Sequence, residues 1–176
     1  MAELSFYVGV IGNIISVLVF LSPVEAFWKI VKRRSTEEYE CLPYICTLLG
    51  SSLWTYYGIV TPGEYLVSTV NGFGVLAESI YVLIFLFFVP KPRFLKTITL
   101  VLALNILFPV IAIVGTRTAF GDAKTRSNSM GFICATLNII MYGSPLSAIV
   151  SLSIFFSSNY ILINYTRLLQ TNDNSI

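Results

Sequence analysis

The sequence predicts an all-α membrane protein, and three observations support this fold class. The chain has 176 residues, of which 56% are hydrophobic and 11% are charged, whereas an average soluble domain carries about 25% charged residues. Five stretches of mostly apolar residues are long enough for a membrane-spanning helix, which needs roughly 20 residues. Their runs of Leu, Ile, Val and Phe are continuous, unlike the alternating strands of a membrane barrel.

The same composition argues against several other classes of protein. High hydrophobicity excludes a disordered chain, and a net charge of only +2 gives no indication of a nucleic-acid partner. The chain has no histidine, and its three cysteines are not in a metal-ligand spacing. We therefore expect no enzyme activity, no bound metal and no cofactor.

The apolar runs also divide the chain into segments. Residues 150–165 form a shorter sixth stretch, rich in Ser and Asn, that either spans the membrane or lies along its surface as a short helix. The predicted order is one three-helix bundle repeat, a linker helix, the first helix of a second parallel repeat, and a divergent tail. The predicted ranges are 1–89 for the first repeat, with spans 6–28, 43–60 and 66–89, then 90–126 for the linker helix and loops, 127–149 for the incomplete second repeat, and 150–176 for the tail.

The distribution of basic residues predicts the orientation in the membrane, because Lys and Arg concentrate in cytosolic loops. The loops after the first and third spans hold seven Lys and Arg residues, whereas the loops after the second and fourth hold three. The N-terminus is therefore expected on the extracytosolic side. We expect the basic cluster 29–34 to contact anionic lipid headgroups.

An internal repeat relates the first and fifth spans. Gly9 and Pro23 reappear 122 positions later as Gly131 and Pro145, and a serine precedes the proline in both cases. Both helices would then point the same way, as in a parallel repeat. Transporters commonly bind their substrate near the membrane midplane between such repeats. At the same offset Trp54 falls on the last residue, so we expect the second repeat to be incomplete.

Three residues within the predicted spans carry chemistry that hydrocarbon does not favour. Asn71 is an amide that should face the bundle interior, where it binds either a ligand or a neighbouring helix. Trp54 lies well inside its span and either stacks on a ring-shaped ligand or anchors the helix at the membrane surface. For Glu78, a structural glutamate is favoured over proton coupling, because no second acid or histidine accompanies it.

Several spaced motifs resemble those of one family. The motifs are Gly-Asn-Ile-Ile-Ser (12–16), Phe-Leu-Ser-Pro (20–23), Lys-Arg-Arg-Ser-Thr-Glu (32–37), Leu-Pro-Tyr (42–44), Leu-Trp-Thr-Tyr-Tyr-Gly (53–58), Val-Asn-Gly-Phe-Gly (70–74) and Ser-Pro-Leu-Ser (144–147). They resemble the plant members of the SWEET family of sugar transporters, also called the nodulin/saliva family. The likeness covers about residues 4–149.

The resemblance implies a bidirectional uniporter that moves mono- or disaccharides by alternating access, in a plasma or vacuolar membrane. It also implies roles for particular side chains. The implied substrate-binding residues are Asn71, Trp54, Ser16, Val19, Gly50 and Met141. The implied gate and hinge residues are Pro23, Pro43, Pro145, Tyr57 and Gly58.

From residue 150 onward the resemblance stops, as it would in a C-terminally truncated member of the family. Two hypotheses about the function therefore stay open. In the first, the chain transports sugar together with a partner chain, either a second copy in a homo-oligomer or a full-length relative in a hetero-oligomer. In the second, the chain is a non-transporting truncated isoform that binds and modulates full-length sugar transporters. Uptake of a labelled hexose by the chain alone would separate them.

Overall fold

The computed structural model describes residues 2–36, 39–141 and 143, and the regular structure in this part of the chain is helical. The predicted all-α architecture is therefore confirmed. The helices are α1 (Ala2–Leu21), α2 (Val24–Arg33), α3 (Leu42–Val60), α4 (Tyr65–Phe88), α5 (Lys91–Leu102), a π-helical segment (Ala103–Leu107) and α6 (Phe108–Ala119).

The chain forms two compact units. The first is Met1–Thr136, which contains α1 to α6 and a further helical stretch at 123–136. The second is Leu137–Ile176, of which the structure describes residues 137–141 and 143, all helical. Pro145 and the tail lie outside the described residues, so the incomplete second repeat and the predicted segment boundaries stay predictions.

Helix α4 is the central helix of the first unit. It packs along α3 over most of its length and also contacts α1, α2 and α5. The tight turn between α3 and α4 uses Gly63 at φ 93°, a left-handed conformation that glycine adopts without steric cost. Helix α4, which is the third predicted span, therefore lies between α1 of the first predicted span and α3, the second predicted span.

A buried cluster joins α2, α3 and α4 at the end of the bundle where α2 ends and α3 begins. Ile30 and Ile45 are fully buried there, and Phe85 and Val89 close the cluster from α4. This is the densest apolar packing among the described residues, and it fixes the position of α2 against the other helices. The connection after α2 turns through Arg34, whose φ of 54° ends the helix.

The linker runs from α5 to α6 and contains a π-helical segment at Ala103–Leu107. Pro109 explains why regular hydrogen bonding stops here, because proline has no N–H to donate to the carbonyl four residues earlier. That carbonyl belongs to Asn105, whose side-chain amide atoms are buried and have no hydrogen-bond partner among the described residues. The π segment packs against α3, and this contact holds the linker against the helix bundle.

Three helical stretches in the described part of the chain are long and apolar enough to cross a membrane: Phe6–Arg33, Tyr65–Phe88 and Lys91–Ala119. Helix α3 has 19 residues but includes more Ser, Thr, Tyr and Gly, which lower its hydropathy. Since α3 packs along α4, its polar residues lie where neighbouring helices shield them from lipid.

Candidate functional site: a polar level in a three-helix unit

The first predicted span is two helices, because the chain breaks at Pro23. Proline cannot donate a backbone hydrogen bond, so the preceding carbonyls lose their helical partners. Ser22 donates to Val19 O from both its N–H (3.1 Å) and its Oγ (2.8 Å). Tyr81 on α4 donates its hydroxyl to Phe20 O at 3.0 Å. The break is therefore stabilised by partners for the freed carbonyls, as a lipid environment requires.

The aromatic rings beside this break form a cluster from three helices. Phe27 of α2 stacks on Tyr81 of α4, with ring centroids 4.5 Å apart and an angle of 21°. Tyr44 of α3 meets Phe27 edge-on at 4.7 Å. Pro43 precedes Tyr44 in the first turn of α3, where proline is readily accommodated. The predicted hinge residues Pro23 and Pro43 therefore flank one aromatic cluster.

Two glycines set the register of α3 against α4. A Cβ placed on Gly58 would lie 2.6 Å from Ser68 N and 2.9 Å from Glu64 O, so the two backbones approach closely at this point. A Cβ on Gly74 would lie 2.8 Å from Ser51 Oγ. The helices are antiparallel, with residue 58 opposite 68 and residue 51 opposite 74. Small residues permit such close contact between helices in lipid.

This register places Trp54 and Asn71 at the same level of the hairpin, between the two glycine contacts. Asn71 is the seventh residue of α4, about 9 Å along the axis from the start of the helix at 1.5 Å per residue. Both side chains are half-buried. Trp54 and Asn71, two of the predicted substrate-binding residues, therefore lie at one height.

Helix α1 brings Ser16 to a similar height. Asn13 donates its Nδ2 to Leu66 O at 3.2 Å, and Phe20 contacts Gly74, so α1 and α4 run in the same direction. Ser16 lies between Asn13 and Phe20, just as Asn71 lies between Leu66 and Gly74. We define the polar level as Ser16, Trp54 and Asn71, one residue from each helix of the bundle.

The hydrogen bonding of the polar level leaves capacity for a ligand. Asn71 donates one Nδ2 hydrogen bond to Val67 O of its own helix at 2.8 Å. An amide carries two N–H groups and an oxygen with two lone pairs, and no other hydrogen bond of this side chain is formed with a described residue. Ser16 donates to Gly12 O at 2.8 Å, and its oxygen can still accept.

Trp54 contacts Tyr57, which lies in the last turn of α3 near the α3–α4 turn. Its ring meets that of Tyr57 edge-on, with centroids 5.4 Å apart and an angle of 83°. A Cβ on Gly131 would lie 3.0 Å from the Tyr57 ring, so the helical stretch 123–136 packs against α3 here. The hydroxyls of Thr61 and Ser127 also share a hydrogen bond across this contact.

The remaining predicted site residues have varied surroundings. Val19 is 62% exposed within the described part of the chain, and Gly50 is buried on α3. Met141 is half-buried and belongs to the second unit, so it is not placed relative to the polar level. Pro145 lies outside the described residues.

Sequence reasoning missed some polar residues that shape the bundle. Asn13 sits in an apolar helix just as Asn71 does, and that signal could have identified it as a helix-to-helix contact. Tyr81 gave no such signal, because an aromatic residue in an apolar run is ordinary. Glu78, in contrast, was singled out from the sequence; it is 3% exposed, and its Oε2 has no hydrogen-bond partner among the residues the structure describes.

These features define a class of protein: a polytopic helical membrane protein with a proline-broken first helix and a polar level inside a three-helix unit. Residues 6–93 match a sequence-family model described as "Sugar efflux transporter for intercellular exchange". The chain belongs to this family, the MtN3/saliva or SWEET family, and the resemblance expected from its motifs is confirmed. It is accordingly an integral membrane protein.

Related proteins extend the match beyond the family segment. The chain is 87% identical over 149 residues to the bidirectional sugar transporter SWEET16 of Arabidopsis thaliana, which covers 85% of this chain and 65% of that protein. It is 76% identical over 148 residues to the bidirectional sugar transporter SWEET17 of the same plant, covering 84% and 61%. The chain thus spans less than two thirds of the length of these curated relatives.

A solved structure shares the fold. The structure of a eukaryotic SWEET transporter superposes with a TM-score of 0.74 at 33% identity, and the match covers 81% of this chain and 67% of that one. The likeness supports the helix order found here.

Proposed function

We propose that this chain forms one half of a bidirectional sugar pathway, which carries a mono- or disaccharide by uniport with alternating access. The relatives reported above bear the name of bidirectional sugar transporters. One observation carries the proposal: Asn71 has hydrogen-bonding capacity to spare at the same level as Trp54. We further propose that the pathway needs neither a cofactor nor covalent chemistry.

The chemistry of the polar level suits a sugar. A sugar hydroxyl both donates and accepts hydrogen bonds, and the free N–H and the oxygen of Asn71 can serve it in both directions. The indole of Trp54 offers an apolar face against which the C–H groups of a sugar ring can pack. Ser16, Val19 and Gly50 complete the proposed lining on the first unit, and we propose Met141 of the second unit as a further substrate-binding residue.

Alternating access requires helices that bend, and the break at Pro23 supplies a place to bend. Two carbonyls at the break, Val19 O and Phe20 O, accept from the side chains of Ser22 and Tyr81, and side chains can exchange partners more readily than backbone groups of a regular helix. We propose Pro23 and Pro43 as hinge points at one end of the bundle, and Tyr57 with Gly58 as the gate at the other. We propose Pro145, which lies outside the described residues, as a further hinge point.

A complete pathway needs a second three-helix unit facing the polar level. The structure describes one such bundle, made of α1, α3 and α4 within the unit Met1–Thr136, and Val19 of α1 is left exposed on it. We propose that the second unit comes from another chain, either a second copy or a longer relative. No observation on the described residues favours the alternative of a non-transporting modulator.

We propose that the N-terminus is extracytosolic, in a plasma or vacuolar membrane, because the basic residues near α2 and α5 outnumber those of the opposite end. A thiol placed in the α3–α4 turn by Pro62→Cys should react with an impermeant maleimide in sealed vesicles whose outer surface is extracytosolic. If the thiol of Lys91→Cys is labelled in the same vesicles and that of Pro62→Cys is not, the N-terminus faces the cytosol and the proposed orientation is wrong.

The function is tested by uptake of radiolabelled hexose into transporter-deficient cells, with the chain alone and with a full-length relative. Asn71→Ala should lower the apparent affinity for hexose by roughly tenfold, since a hydrogen bond to a neutral group contributes about 0.5–1.5 kcal/mol. Thr69→Val is the matched control, because Thr69 makes a similar bond to its own helix, to Leu66 O at 3.0 Å, outside the polar level.

Two results would count against the proposal. Uptake that is unchanged by Asn71→Ala in both settings would remove Asn71 from the substrate site. Equal losses in Asn71→Ala and Thr69→Val, with equal surface amounts of protein, would show that the two side chains matter only for the helix.

A further inference from the structure

A cavity lies away from the polar level, where the start of α3, the end of α4 and the start of α5 meet. Its volume is about 370 Å³. Much of its wall is apolar, formed by Ile45, Phe85, Val89 and Leu100. Two basic side chains of α5, Arg93 and Lys96, line the same cavity.

The cavity is at the boundary of the membrane. Helix α4 ends at Phe88 and α5 begins at Lys91, and the two stretches that meet here are each long and apolar enough to span a bilayer. The turn between them must therefore lie near a bilayer surface. The apolar walls then face the hydrocarbon side, and Arg93 and Lys96 sit at the level of lipid headgroups.

The charges of the cavity favour a small anion. Arg93 and Lys96 are three positions apart on one helix face, both are exposed, and neither forms an ion pair with a residue the structure describes. Glu40 also lines the cavity, so the lining residues that the structure describes carry a net charge of one positive. That charge matches the single negative charge of a phosphodiester better than it matches a polyphosphate.

We propose that this cavity binds an anionic phospholipid, with the headgroup phosphate between Arg93 and Lys96 and the upper acyl chain along Val89 and Leu100. Basic pockets between membrane helices are a known way to bind anionic headgroups. A water-soluble phosphate would satisfy the two cations but leave the apolar walls in water. A phospholipid contacts both the basic side chains and the apolar wall of the cavity, and we therefore favour it over a water-soluble phosphate.

The test is native mass spectrometry of the purified full chain in detergent, titrated with phosphatidylinositol, phosphatidylcholine and water-soluble glycerophosphoinositol. The test variant is Arg93→Gln with Lys96→Gln. The control is Lys32→Gln with Lys91→Gln, which removes two charges from the same end of the bundle but outside the cavity lining. Melting temperatures establish that each variant is folded.

Phosphatidylinositol should bind more tightly than phosphatidylcholine, and its binding should weaken about 30-fold in the test variant, the effect of two basic residues near a membrane surface. The control should change binding by less than threefold. Glu40→Gln should strengthen binding severalfold, a gain that partial unfolding cannot produce.

Three outcomes would overturn the proposal. Equal weakening in the test and control variants would indicate diffuse surface charge. Equal binding of phosphatidylcholine would show that the headgroup charge is irrelevant. Binding of glycerophosphoinositol as tight as that of the lipid would indicate a soluble-anion site.

Discussion

Gly58 should be the glycine of the bundle least tolerant of a side chain. A Cβ at this position would lie 2.6 Å from Ser68 N and 2.9 Å from Glu64 O. Both are backbone atoms that cannot rotate away, so Gly58→Ala must push α3 and α4 apart where they approach most closely. Overpacking of this kind costs about 1–3 kcal/mol.

Two neighbouring glycines give matched controls for this cost. A Cβ on Gly74 would lie 2.5 Å from the end of the Phe20 ring, and a side chain can shift, so Gly74→Ala should cost less. A Cβ on Gly72 meets nothing within 4 Å. Because alanine favours a helix over glycine by about 1 kcal/mol, Gly72→Ala should stabilise the protein, and the same gain offsets part of the cost at Gly58.

Thermal unfolding of the purified protein measures this order. Buried Cys41 and Cys134 become accessible on unfolding, so a thiol-reactive fluorogenic dye reports it. A net loss of about 1 kcal/mol at Gly58, after the helix gain is subtracted, and a gain of about 1 kcal/mol at Gly72 separate the two melting temperatures by roughly 4–8 °C for a chain of this size. A melting temperature of Gly58→Ala equal to or above that of Gly72→Ala would refute the close approach of the two backbones.

Two further predictions follow from single hydrogen-bonding groups. Tyr81→Phe should lower the free energy of unfolding by about 1 kcal/mol, because Phe20 O at the Pro23 break loses its donor while the stacking on Phe27 remains; an unchanged melting temperature would contradict this. The pKa of Asp122 is lowered from 3.8, first by the backbone N–H of Thr125 and then by its hydroxyl. The contribution of Asp122 to stability is therefore present above pH 3.8 and is lost as the pH falls through the lowered pKa. A carboxyl NMR titration should show a midpoint for Asp122 below 3.8, and Thr125→Val should move that midpoint part of the way back towards 3.8. A midpoint at 3.8 in the native chain would contradict the two hydrogen bonds from Thr125 to the Asp122 carboxylate.

Much of the fold could be predicted from the sequence because membrane helices are local structures. The length and hydropathy of a run decide whether it can span, and each helix satisfies its own backbone hydrogen bonds. The motifs were also sufficient to identify the family. Pro23 was expected at a hinge, since the missing N–H of a proline is visible without any coordinates.

Other features of the site depend on which helix faces touch, and apolar sequences say little about that. Lipid tails are as apolar as leucine, so no hydrophobic pattern marks the face of a span that packs against its neighbour. Nothing in the sequence indicates that Tyr81 would reach Phe20 O. The register of Gly58 with Ser68 is likewise a property of the packed pair of helices.

The sequence by itself determined that this is a helical membrane protein of the SWEET family, because composition, run length and motif spacing are properties of the chain alone. Only the tertiary structure decided that α4 lies between α1 and α3 and that Ser16, Trp54 and Asn71 share one level. The physical reason is that close contact between helices in lipid depends on small residues meeting at particular depths, and depth is set jointly by two helices.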